Sequence, residues 1–236
     1  MHSYQVTAFG QPLVETTQLT PVPRGREVLV RIGACGVCHS DVHLHDGYFD
    51  LGGGKKVDMS RGVAPPRTLG HEIAGEVVAM GSEITAADRL SLGARRVVYP
   101  WIGCGKCAVC QRGQEQDCSA PRAHGVNTDG GYADHVLVPD AKYLFEYGTL
   151  SEEQACTYAC SGLTAFGALK KAKGLVGPGP GNDLLIIGAG GVGISGIRMA
   201  KPVLGVEPIV ADIDKSKFEA ARQAGAREVI DSAEPG

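Results

Sequence analysis

Four cysteines fall within the fifteen residues CGKCAVCQRGQEQDC, Cys104 to Cys118, of a 236-residue chain that holds eight. The residues between them are mostly Gly, Lys, Arg, Gln and Glu. Such a stretch cannot build an apolar core, so its thiols must hold it together. The spacing C-x2-C-x2-C-x7-C, through Cys104, Cys107, Cys110 and Cys118, lets a tight loop aim successive sulfurs at one centre. Tetrahedral zinc asks for that arrangement, and four thiolates close its coordination shell, which marks a structural site. Metal binding then becomes folding free energy for a lobe without a core. Two surface disulfides are the bland alternative. An iron–sulfur cluster uses similar ligands, but nothing else in the chain points to electron transfer.

Compartment bears on that choice. The N-terminus MHSYQVTAFG has neither the charged nor the apolar region of a secretory signal. The longest apolar stretch, LLIIGAGGVGISGI, is short of a membrane span and broken by glycines. A cytoplasmic protein is expected, where thiols stay reduced and clustered cysteines favour metal. The balance of 23 basic against 26 acidic residues has no run suited to nucleic acid or to a membrane surface, so neither partner is expected.

Two textures divide the chain. Up to about Tyr147, β-branched runs such as EVLVRIGACG, EIAGEVVAMG, ARRVVYP and YADHVLVP predict short strands, with long loops carrying the cysteines and histidines. Ser151 and Gln154 form a capping-box pattern that starts a helix running to about Lys173. After the breaker GPGPGN come a strand LLIIG, a helix from about Gly191 to Leu204, a strand PIVAD, a helix KSKFEAARQAGA and a strand EVI. That alternation is one βαβαβ half of a doubly wound parallel sheet. The fold class is therefore mainly β, residues 1–158, followed by an incomplete α/β domain, residues 159–236. On the order of sixty further residues would complete such a sheet, so the chain is expected to be a fragment with an exposed hydrophobic edge.

The strand LLIIG runs into GAGGVG, which puts Gly188, Gly190 and Gly193 in the G-x-G-x-x-G positions, with Gly191 and Val192 between them. Asp212 ends the next strand nineteen residues later. Strand, turn, helix and carboxylate together are what a dinucleotide fingerprint requires. The glycines admit pyrophosphate to a helix N-terminus. Asp212 is suited to the adenosine ribose hydroxyls and would repel a 2′-phosphate, so NAD is expected over NADP. A glycine-rich turn in a non-binding α/β unit is the alternative.

A second group of candidate ligands lies in CGVCHSDVHLHDG, LGHEIAGEV and ACSGLT, and spacing alone does not select among them. Together with the four-cysteine lobe, DGGYADHV and GAGGVG, these motifs are similar to those of the zinc-dependent medium-chain alcohol dehydrogenases, along essentially the whole chain. The resemblance implies a GroES-like catalytic β domain and a Rossmann domain represented by its first half. It implies two zinc ions, NAD and a small alcohol or aldehyde substrate, with a homodimer or homotetramer expected. By position, Cys38, His71 and Cys160 resemble the catalytic zinc ligands, and Glu72 the acidic neighbour that enters the metal shell during ligand exchange. Asp41 resembles the carboxylate that orients the ligating histidine, and Ser40 and His43 a proton relay. His39 takes a pyrophosphate-contacting position, Thr164 a nicotinamide-facing one and Lys217 one near the adenosine ribose. The implied reaction moves a hydride between a primary or secondary alcohol and NAD. A polyol or other secondary-alcohol dehydrogenase, or a non-catalytic zinc- and adenosine-binding fragment, are the rivals. Cys35 and Cys156 are left as packing thiols, and Trp101 resembles a pocket-lining residue. Thirty-two residues separate Cys38 from His71, and their GGGKK and PP segments predict an irregular surface loop near Tyr48 and Phe49 that borders the substrate cleft.

Overall fold

A computed structural model describes residues 1–60, 62–179 and 181–234. The chain divides into two compact units, Met1–Cys160 and Ser161–Gly236.

The first unit is built on a five-stranded antiparallel sheet. In spatial order its strands are His135–Val138, Val28–Gly36, Glu72–Met80, Arg95–Val98 and Leu144–Phe145. Of the two apolar patterns a strand can show, alternating or continuous, the continuous one holds in the central strands: Val28, Leu29 and Val30 are buried in succession, and Arg31 beyond them reaches out to pair with Glu76. Val28, Val30, Ile73, Val77, Val98, Val136, Val138 and Tyr143 share one core. The central pair approaches closely at Gly75, where a Cβ would lie 2.1 Å from the Arg31 carbonyl oxygen, so only glycine fits there. Beside this sheet Val14–Thr17, His2–Val6 and Arg67–Thr68 form a three-stranded sheet that the sequence did not signal.

Two expectations need correction and a third gains a detail. The segment after Cys38 is a helix, His39–Asp46, and not a loop. Cys38 and Asp41 form its capping box, and Gly47, at φ 81°, ends it in the left-handed conformation. Its weak apolar periodicity hid it, because only Asp41 and Leu44 face inward. The connection that follows is partly regular. Tyr48–Asp50 pairs antiparallel with Lys56–Asp58, and Gly52, Gly53 and Gly54, all with positive φ, turn the hairpin. The Lys56 ammonium sits 3.6 Å from the centre of the Tyr48 ring. Finally, the helical stretch begun by the Ser151–Gln154 capping box runs on to Ala172, as read from the sequence, with one irregular turn inside it. Glu152–Thr157 is α-helical, Tyr158–Gly162 is a π-helical turn and Leu163–Ala172 is α-helical again. Single π turns often mark functional sites, and this one contains Cys160.

The second unit is the predicted βαβαβ half. The parallel strands lie in the order Leu185–Ile187, Ile209–Asp212, Glu228–Asp231. Helices Gly191–Leu204 and Phe218–Ala224 connect them. Ala189, Ile197, Val210 and Ala221 form its core. Leu185–Ile187 is an edge strand, and Ile187 is 81% exposed. Among the described residues, no helix is long and apolar enough to cross a membrane.

Candidate metal and dinucleotide sites

The four-cysteine lobe closes on itself. The sulfurs of Cys104, Cys107, Cys110 and Cys118 all lie within 4.8 Å of one another. Three of the separations are 3.4 Å (Cys107 to Cys110), 3.9 Å (Cys104 to Cys110) and 4.0 Å (Cys107 to Cys118). A tetrahedron with zinc–sulfur bonds of about 2.3 Å has edges of about 3.8 Å, so the donor set fits such an ion. The loop also presents N–H groups to the sulfurs: Cys107 N donates to Cys104 Sγ at 3.4 Å and Cys110 N to Cys107 Sγ at 3.5 Å. Backbone donors from Lys106 and Cys107 lower the Cys104 thiol to about 6, whereas burial, aided by neighbouring sulfurs, pushes Cys110 up to about 12. Glu115 ties the lobe to the sheet. Its Oε2 accepts from Gly103 N at 3.2 Å and from the Tyr143 hydroxyl at 2.5 Å, and its other oxygen pairs with Lys142. Glu115 escaped sequence reading because its partners lie far along the chain.

The second cluster is assembled from distant segments. Cys38 caps the first helix, His71 and Glu72 enter the central strand, and Cys160 sits in the π turn. Their ligand atoms lie within 4.8 Å of one another, with Cys38 Sγ 3.8 Å from Cys160 Sγ. Asp41, itself buried, joins the first two of these segments. One oxygen accepts from Cys38 N at 2.9 Å and the other from Gly70 N at 3.2 Å. The latter oxygen also lies 3.2 Å from His71 Nδ1, off the line of a good hydrogen bond. Nε2 is thereby the nitrogen available as a ligand. Burial opposes charge on His71, which is 2% exposed, but Asp41 and Cys38 outweigh it and raise the imidazole to about 10. Cys38 is driven well below the ordinary thiol range by donation from Cys160 and His71, and Cys160 is driven up by the same contact. The cluster holds one thiolate readily, and a divalent cation would ionise the second thiol and leave His71 neutral. Gly36 makes room for this group, since a Cβ there would meet Glu72 Oε2 at 2.1 Å; no residue pattern signals that role.

Around the cluster, Ser40 sits at the first position after His39 in the helix capped by Cys38, and it helps to lower the Cys38 thiol. The His43 ring lies 4.7 Å from that of His39 and 4.7 Å from that of Phe49, on the hairpin. The half-exposed Trp101 ring is 6.2 Å from that of His71. Cys35 and Cys156 stay outside both clusters, packed against core groups.

In the second unit, Gly188 turns at φ 93°, a left-handed conformation, and a Cβ on Gly193 would strike the Gly188 carbonyl oxygen at 1.9 Å. Gly190 caps the Gly191–Leu204 helix without a side-chain acceptor for its amides. A Cβ on Gly190 or Gly191 would meet open space, and Val192 is exposed beside them. An anion can therefore reach a bare helix N-terminus there. Asp212, 6% exposed, accepts from Ala189 N at 2.6 Å and from Asp214 N at 2.8 Å. Lys217 Nζ lies 3.9 Å from Asp212 and 3.6 Å from Asp214. Thr164 is exposed in the first turn of Leu163–Ala172.

Residues 24–147 match the alcohol dehydrogenase GroES-like domain. The chain is 41% identical over 233 residues to an NAD-dependent alcohol dehydrogenase of Sulfurisphaera tokodaii, covering 98% of this chain and 64% of that protein. An L-threonine 3-dehydrogenase of Pyrococcus abyssi is 32% identical, with 94% and 58% covered. The crystal structure of the alcohol dehydrogenase of Aeropyrum pernix superposes with a TM-score of 0.83 at 27% identity, covering 99% of this chain and 65% of that one. The chain thus spans less than two thirds of the length of these relatives. With a GroES-like β domain followed by half of a doubly wound sheet, it belongs to the zinc-dependent medium-chain alcohol dehydrogenase family.

Proposed function

We propose that this chain carries the metal and NAD sites of an oxidoreductase that moves a hydride between a primary or secondary alcohol and NAD. The observation that carries the reading is the convergence of Cys38, His71, Glu72 and Cys160 around one point, with Asp41 behind His71. Zinc held by Cys38, His71 and Cys160 would supply a Lewis acid that polarises an alcohol or carbonyl oxygen. Asp41, 3.2 Å from His71 Nδ1, favours a proton on that nitrogen and so the tautomer that ligates through Nε2. Glu72, whose carboxylate converges on the same point, would offer a further oxygen ligand to that ion. Ser40 and His43 take the alcohol proton and pass it to solvent. NAD bound at Gly188, Gly190, Gly191, Val192 and Gly193 would accept the hydride, with His39 and Lys217 balancing the charge of its diphosphate and adenosine ends and Thr164 facing its nicotinamide. Asp212 accepts from the ribose hydroxyls and disfavours a 2′-phosphate. Cys104, Cys107, Cys110 and Cys118 hold a second, structural zinc. The eight free thiols suit the cytoplasm, and a homodimer or homotetramer is the assembly we expect.

The likeness to an L-threonine 3-dehydrogenase supports a second reading, in which the hydroxyl belongs to a polyol or another polar secondary alcohol. Screening simple, aromatic and polar secondary alcohols with NAD on the full-length gene product, by NADH absorbance, separates the two. Protein purified without chelator should hold two zinc ions per chain. A count of one or none, or no turnover with any alcohol, would reject the reading.

A further inference from the structure

Asp212 is placed for more than ribose recognition. Its Oδ2 accepts the Ala189 N–H at 2.6 Å, inside the glycine turn, and its Oδ1 accepts the Asp214 N–H at 2.8 Å, inside the loop that follows its own strand. The neighbouring Gly188 N–H is bonded to the Ala211 carbonyl at 2.7 Å. Two consecutive amides of the turn are thus held by two consecutive residues of the adjacent strand. Among the described residues a Cβ built on Gly188, Gly190 or Gly191 finds open space, and no side chain caps the helix behind the turn. The carboxylate, almost fully buried, is the only side chain seen bonding the amide of Ala189 among the described residues.

We infer that Asp212 is a positioning residue for the phosphate turn: its carboxylate holds Ala189, and with it the bare helix N-terminus, in the conformation that receives a diphosphate. This rests on reading Gly188–Gly193 as the dinucleotide site. It also changes what a familiar substitution does. Asp212→Ser, the natural choice for admitting a 2′-phosphate, removes the clamp along with the repelling charge, so affinity falls for NAD and NADP together. The turn conformation and the cofactor preference are coupled through one side chain.

Two nucleotides separate clamping from ribose contact. ADP offers a diphosphate and both ribose hydroxyls, whereas 2′,3′-dideoxy-ADP offers the diphosphate alone. Calorimetry on the wild-type chain and on Asp212→Asn should show the variant weakened about tenfold toward both, the scale of one hydrogen bond to a charged acceptor. Loss of ADP affinity with dideoxy-ADP unchanged would mean a ribose contact only and would overturn the clamp. Amide exchange on the ligand-free wild-type chain is an independent check that needs no variant. Ala189 should be protected like the core amides of Val210, and exchange at the rate of an open loop overturns the inference. Wild-type protein that binds neither nucleotide rejects the dinucleotide reading itself and takes the clamp's function with it, an outcome distinct from equal binding of dideoxy-ADP by both proteins.

Discussion

The two thiol clusters are built from similar ligands by opposite routes. Cys104–Cys118 gathers four sulfurs from fifteen consecutive residues on a polar loop. The Cys38, His71, Glu72 and Cys160 group draws on a helix cap, a central strand and a π turn that are separated by up to 122 positions. In the first, the ligands shape the backbone, because short spacers and sulfur-directed amides leave the loop little else to fold around. In the second, the backbone places the ligands, and buried Asp41 binds the Cys38 cap to the His71 segment before any ion arrives. A closed site that makes its own fold should fail structurally when a ligand is lost. A site hung on a finished sheet should fail only in its chemistry.

The largest effect follows directly. Cys107→Ser should remove one zinc per chain and lower Tm by roughly 10 °C or more, since metal is the lobe's folding energy. Cys38→Ser should also remove one zinc yet leave Tm within a few degrees. Scanning calorimetry with metal analysis reads both numbers, and equal Tm losses would erase the distinction between the clusters.

Asp41→Asn sharpens it from the other side. Removing the charge behind His71 should weaken zinc binding at the tertiary cluster by about 10- to 100-fold and leave the lobe's zinc in place. A chelator titration that resolves two release steps would show it, and a shift in the tighter, closed site would contradict the assignment.

Glu115→Gln tests how far the lobe depends on the sheet. Losing hydrogen bonds to a charged acceptor costs about 1.5 kcal/mol, roughly 3–6 °C in Tm, with faster amide exchange across 103–118. Burial works against the Glu115 carboxylate, but Lys142, Tyr143 and the Gly103 amide overcome it and hold its pKa below the ordinary glutamate value of 4.5. Its stabilisation is therefore complete above that ordinary value and is lost as pH falls through the lowered one. The variant should lack this part of the acid-side loss, and identical acid denaturation curves would remove Glu115 as the tether.

The smallest effect belongs to the hairpin between Cys38 and His71. Lys56→Ala ends the contact with the Tyr48 ring and should change Tm by no more than about 2 °C, because the hairpin hangs beside the cluster rather than supporting it. A larger drop would move the hairpin into the structural frame.

Local order was legible wherever a signal repeats within a few residues. The capping box at Ser151, the helix from Gly191 to Leu204 and the apolar strands at Val28 and Glu72 lie where the sequence put them. The helix after Cys38 was not legible, since its inward face is only Asp41 and Leu44, too few for a period to show. The π turn was equally hidden, because its sequence YACSG carries no breaker to announce the extra residue.

By itself, the sequence determined the closed thiol lobe, the glycine turn before its helix, and the division into a β-rich first part and a βαβαβ second part. Each depends on spacing between near neighbours, where chain connectivity alone limits the geometry. Only the tertiary structure decided which two of the remaining thiols meet His71, that Asp41 ties the helix cap to the His71 segment, that Glu115 fastens the lobe, and that Asp212 faces the glycine turn. Those contacts link residues from 23 to 122 positions apart, and at such separations sheet register and helix packing set the distances, while residue spacing no longer limits them.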